Sequence, residues 1–182
     1  MPNTVIEVDK MLTRAVVVPS SFNAESNTID VVVATETPVR MYNWREGKYI
    51  NEVLEISASA IDFSRMNSGA PALNTHNQWN LDSVIGVVER SWIEGSELKA
   101  TIKLSTAEKH QDIVKNIQEG IIRNISAGYN VSEYTIENAD ENVPTYRATK
   151  WQPMEVSFVP VPADPNSGTR SEGEKSPYQA TV

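Results

Sequence analysis

Apolar and polar positions alternate with a period of two over residues 121–131, the best-marked strand of the chain. Ile125, Ala127, Tyr129 and Val131 point one way, and Asn124, Ser126, Gly128 and Asn130 the other. The same period predicts a hairpin from residues 83–92 and 97–104, turned at Glu94-Gly95-Ser96, with Leu98, Ala100, Ile102 and Leu104 inward and Lys99, Thr101 and Lys103 outward. Between hairpin and strand the period changes to that of a helix. Ala107, His110, Val114 and Ile117 share one face, Ser105 and Glu108 have the spacing of a capping box, and Gly120 stands where a left-handed glycine ends a helix.

Further strands are predicted over residues 13–19, 28–35, 49–56, 146–151 and 154–160, with 37–42 extending the sheet and 131–137 continuing the strand of Ser126. Residues 57–66 are ambiguous, with room for one helical turn, and 71–75 form a short extended run that ends at His76. Residues 1–12 are read as an N-terminal extension, 13–163 as the one domain, and 164–182, rich in turn formers and poor in large apolar groups, as a flexible tail. The class expected is mainly β (α+β), a sheet with a few helices.

Composition narrows the partners. A chain of 182 residues with 40% hydrophobic positions can bury a core, and a net charge of −8 argues against nucleic acid, whose phosphates call for a basic surface. There are no cysteines, hence no disulfides and no thiolate metal ligands, which fits a cytoplasmic setting. No apolar stretch has the length of a signal peptide core or a membrane span. Phosphate loops, dinucleotide fingerprints and the Gly-x-Ser-x-Gly elbow are missing, and no cofactor or metal is expected.

The chemistry left open is that of a nucleophilic serine. A serine needs a base to take its proton, and a histidine titrates near working pH and can return it. The two histidines are His76 and His110. His110, on the apolar helix face, reads as a packing or capping residue. His76, Ser126 and Glu155 all fall on the polar side of predicted strands, so a Ser–His–carboxylate triad is permitted. Two of them also have an ordinary reading: Ser126 as a strand serine, and Glu155 as a solvated strand residue.

The ordered motifs resemble the prohead (capsid-maturation) proteases of tailed bacteriophages, distant relatives of herpesvirus assemblin. Ala72-Leu73-Asn74-Thr75-His76-Asn77 resembles the histidine motif and Val84-Ile85-Gly86-Val87-Val88 the strand after it. Ile125-Ser126-Ala127-Gly128-Tyr129 resembles the serine motif, and residues 155–163 the closing Glu-Val-Ser-hydrophobic-Val-x-x-Pro-Ala run. The resemblance covers roughly residues 12–165.

It implies an antiparallel β-barrel, His76 as general base and Ser126 as nucleophile. Glu155 stands about where assemblin has a second histidine. Assemblin's paired arginines have no clear counterpart, so backbone amides are left as oxyanion donors. The implied activity is cleavage of phage scaffold or of the major capsid protein's scaffolding segment, inside the prohead in the host cytoplasm, followed by self-cleavage. The chain could also assemble with copies of itself. Two rivals remain: an inactive structural member of the same fold, and a Ser/His esterase.

Overall fold

The computed structural model describes residues 8–17 and 21–162, the first of these stretches by its backbone pairing only. The tail at 164–182, expected to be unpacked, lies outside the described residues.

Among the described residues, nine strands form one mixed sheet: β1 (Val8–Val17), β2 (Thr28–Thr35), β3 (Val39–Asn43), β4 (Lys48–Leu54), β5 (Pro71–Asn74), β6 (Val84–Glu94), β7 (Glu97–Leu104), β8 (Asn124–Glu137) and β9 (Thr145–Phe158). Two short helices, α1 (Ser64–Asn67) and α2 (Gln111–Gln118), sit on the connections. The spatial order is β3-β4-β9-β5-β6-β7-β2-β1-β8, and β8 also pairs with β9, so the sheet curls back on itself. The mainly β class is as expected; the all-antiparallel barrel is not. β9 runs parallel to both β4 and β5, and among the described residues β3 pairs with β4 alone, so the nine strands are not closed into one antiparallel barrel.

The period-two strands bury the faces their patterns indicate. Ile125, Ala127, Tyr129 and Val131 are at most 3% exposed, and Leu98, Ala100, Ile102 and Leu104 at most 2%. On the core face of β8, Tyr129 and Tyr134 donate their phenol protons to the fully buried carboxylate of Glu52 on β4. The two strands predicted at 146–151 and 154–160 are one, β9, and the strand predicted from Thr13 begins at Val8. The break expected within β9 is instead a bulge. The pairing with β8 steps from Gly128↔Glu155 to Tyr129↔Pro153, leaving Met154 unmatched beside a proline that has no ladder proton to give.

Gly86 on β6 is set by a close approach between strands. A Cβ there would lie 2.6 Å from the Lys103 backbone oxygen and 3.3 Å from the Ala72 Cβ. Backbone cannot yield as a side chain can, so Gly86→Ala is expected to cost about 1–3 kcal/mol of stability. Urea unfolding of the variant checks this, and an unchanged midpoint would show that the strands can separate without penalty.

The helix is later and shorter than its capping box suggested. A 3₁₀ turn at Glu108–His110 precedes α2, and the Ser105 hydroxyl accepts from the Ala107 amide (3.2 Å) rather than from that of Glu108. The C-terminus matches the expectation. Gly120 is left-handed (φ 71°), its amide bonds the Ile117 carbonyl and the Ile121 amide reaches Asn116 O, the two bonds of a Schellman motif.

Candidate functional site

The site is assembled where β5, β9 and β8 lie side by side. β5 runs parallel to β9 with Leu73 opposite Ser157, while β8 runs antiparallel on the other edge with Ser126 opposite Ser157 and Gly128 opposite Glu155. Directly opposed residues share a face, as do residues two apart on one strand. Ser126, Ser157 and Glu155 therefore lie on one face, and Gly128 brings no side chain to the place opposite Glu155. This polar side of the strands, on which Ser126 and Glu155 were expected, is buried. Both are 2% exposed and Ser157 is fully buried.

His76 is not a strand residue either. β5 stops at Asn74, and the chain reverses through Asn74-Thr75-His76-Asn77, closed by a 3.2 Å bond from the Asn77 amide to the Asn74 carbonyl. Thr75 and His76 both have positive φ, 53° and 55°, the signature of a type I′ turn built without glycine. Each such residue costs on the order of 1–3 kcal/mol, and a β-branched threonine is the less suited to it. Two bonds to β9 hold the turn: Thr75 N to Phe158 O at 3.0 Å and His76 N to Ser157 Oγ at 3.1 Å. The reversal carries the imidazole back over the face of Glu155, whereas simple alternation would have pointed it away.

There His76 Nδ1 meets Glu155 Oε1 at 2.5 Å, across 79 residues of sequence. The carboxylate can only accept, so Nδ1 carries the proton and the neutral ring presents Nε2 as a lone pair. Glu155 Oε2 accepts a second bond, 2.6 Å, from the Ser157 hydroxyl. A closed circuit results: carboxylate to imidazole, imidazole residue to backbone amide, amide to Ser157 Oγ, and Ser157 Oγ back to the carboxylate. Ser126 stands outside it. Among the described residues its hydroxyl has no hydrogen-bond partner, and none joins it to His76.

Beside the circuit opens a cleft of about 440 Å³, lined among others by Pro71, Leu73, Leu81, Met154 and Glu155. The loop after His76 supplies part of its wall and also carries Trp79, 96% exposed. His110 is elsewhere and fully engaged. Its Nε2 donates to the Asp82 carbonyl (3.0 Å) and its Nδ1 bonds Ser105 Oγ (2.8 Å), so it fastens the start of α2 to the 3₁₀ turn at Leu81–Ser83. That agrees with its reading as a packing and capping residue.

Of the three residues singled out in the sequence, the fold brings His76 and Glu155 into contact and sets Ser126 on the neighbouring strand, two register positions from Glu155 and on the same face. Ser157 was missed. The signal available for it was its spacing, two residues after Glu155 and so on the same face.

A strained turn thus sets His76 Nδ1 on the buried carboxylate of Glu155, with the unbonded hydroxyl of Ser126 on the same face of the sheet. The chain belongs to the caudovirus prohead serine protease family, which it matches over residues 42–179. It is 36% identical over 132 residues, 72% of its length, to a major capsid protein of Halomonas phage phiHAP-1, and it spans 22% of that protein's length. Among solved structures it is similar to the bacteriophage T4 capsid assembly protease, gp21, with a TM-score of 0.43 and 11% identity over 87% of this chain and 93% of that one.

Proposed function

We propose that this protein is a serine endopeptidase of capsid maturation, with Ser126 as nucleophile, His76 as general base and Glu155 as the carboxylate that orients the base. The observation that carries the reading is the His76–Glu155 pair, which leaves Nε2 free to accept a proton. In this mechanism Ser126 Oγ attacks the scissile carbonyl while Nε2 takes its proton, and the imidazolium is held against Glu155. The proton then passes to the leaving amine, and water repeats the sequence on the acyl-enzyme. Ser157 is the poorer nucleophile because its proton is committed to Glu155 and its oxygen already accepts the His76 amide. The proposal requires that bound substrate bring Ser126 and His76 into contact, as catalytic bonds are often loose without substrate.

The substrates proposed are phage scaffold and the capsid protein's scaffolding segment, met inside the prohead within the host cytoplasm. The relative named as a major capsid protein, far longer than this chain, supports that substrate class. Self-cleavage near the start of 164–182 belongs to the same proposal, and so does kinship with assemblin, here with a carboxylate in the third place. The lack of a Ser126–His76 bond favours a second reading, an inactive member of the fold with a structural role. A fluorophosphonate probe separates the two. Covalent labelling is expected at Ser126, located by peptide mass spectrometry, and a folded protein that takes no label would support the inactive reading. Intact masses of wild type and Ser126→Ala after incubation test self-processing, with the shorter product expected in wild type alone; equal masses would remove it.

A further inference from the structure

We infer that Ser157 is a positioning residue of this site: its hydroxyl holds both the Glu155 carboxylate and the strained His76 backbone, and so sets the geometry in which His76 can act. The inference rests on the reading of His76 as the base. Ser157 is fully buried near the end of β9, between β8 and β5, with Ser126 opposite it on one side and Leu73 on the other. A buried hydroxyl has one proton and two lone pairs to satisfy. Here the proton goes to Glu155 Oε2 at 2.6 Å, and one lone pair receives the His76 amide at 3.1 Å.

Each bond does separate work. The bond to Oε2 pins one carboxylate oxygen, so the other is aimed at Nδ1 and the carboxylate cannot rotate out of line. The bond from the His76 amide fixes the second left-handed residue of the turn. That conformation is locally unfavourable for histidine, and its retention depends on outside bonds of this kind. The two constraints meet at one oxygen atom, which ties the position of the imidazole to that of its carboxylate. Neither Glu155 nor the turn could move alone without breaking a bond to Ser157. Backbone pairing between β5 and β9 does not supply this, because the ladder ends at Asn74↔Phe158, before His76.

The test uses the full chain and a fluorophosphonate probe. Inactivation forms the serine Oγ–phosphorus bond, expels fluoride and sends the hydroxyl proton to the base, so its maximal rate reports on the base and its half-saturating concentration on binding. Ser157→Ala is expected to lower the maximal rate about ten- to a hundredfold, as loss of a partner that orients a functional histidine typically does, with half-saturation little changed. The low-field proton signal of the His76 Nδ1–H···Glu155 bond should shift or vanish in the same variant. A folded Ser157→Ala with the wild-type rate and an unmoved signal would overturn the inference. Should alanine prevent folding, Ser157→Cys keeps the volume with a weaker donor and is read by the same two measurements. Ser126→Ala serves as the reference. Label that persists on it from another serine counts against Ser126 as nucleophile, while the His76 signal in Ser157→Ala still judges the role of Ser157.

Discussion

Ser126→Ala is expected to abolish peptide cleavage and at the same time to make the protein more stable. The first half follows from the proposed mechanism: without the hydroxyl no acyl-enzyme forms, and removal of the nucleophile of a serine protease costs on the order of 10⁶ in turnover. The second half follows from the structure. The Ser126 side chain is 2% exposed, between Ile125 and Ala127, which are fully buried, and among the described residues its hydroxyl has no partner. A buried polar group left unsatisfied costs about 1–3 kcal/mol, so exchange for a methyl group should return on the order of 1 kcal/mol. Thermal melts of the two proteins, run beside a cleavage assay on scaffold or capsid protein, give both numbers. A folded variant that still cleaves at the wild-type rate removes Ser126 from the mechanism. A fall of several degrees in melting temperature would mean instead that the hydroxyl makes a structural bond.

The second large effect is expected at Glu155. Its two oxygens have different tasks, one on His76 Nδ1 and the other on the Ser157 hydroxyl, and the residue is almost wholly buried. Glu155→Gln preserves size but cannot serve both. If the amide oxygen faces His76, the amide nitrogen confronts Ser157, whose proton then has no acceptor. If the nitrogen faces His76, Nδ1 must give up its proton and Nε2 take it, the tautomer that cannot deprotonate Ser126. Loss of the orienting carboxylate in serine proteases costs about 10⁴ in turnover with the geometry intact. The same loss of a buried bond should lower stability by about 1–3 kcal/mol, more than a solvated strand residue would. Turnover of Glu155→Gln, with folding followed by circular dichroism, decides it. Wild-type turnover in a folded variant would leave a Ser126–His76 dyad. His110 could not take over the third role, because both its nitrogens are held by Ser105 and the Asp82 carbonyl.

The sequence by itself determined what depends on neighbours a few residues apart. Alternation along Leu98 to Leu104 and Ile125 to Val131 fixed which apolar side chains share one face, because successive residues of a strand point to opposite sides. Gly120 marked the end of α2 because a left-handed C′ residue favours a residue without Cβ. The ordered motifs around His76, Ser126 and Glu155 carried the family. The site itself was decided by tertiary structure. Local preference argues against two left-handed residues at Thr75-His76, and bonds to Phe158 and Ser157, more than eighty residues on, help to hold them there. The parallel β5–β9 pairing and the register of β8 on β9 are likewise long-range. No local period encodes that Ser126 stands opposite Ser157, or that the bulge at Met154 falls beside Glu155. Period-two spacing tells which face of a strand a residue takes; only packing of the whole sheet decides which strand lies beside it and whether that face is wet or buried.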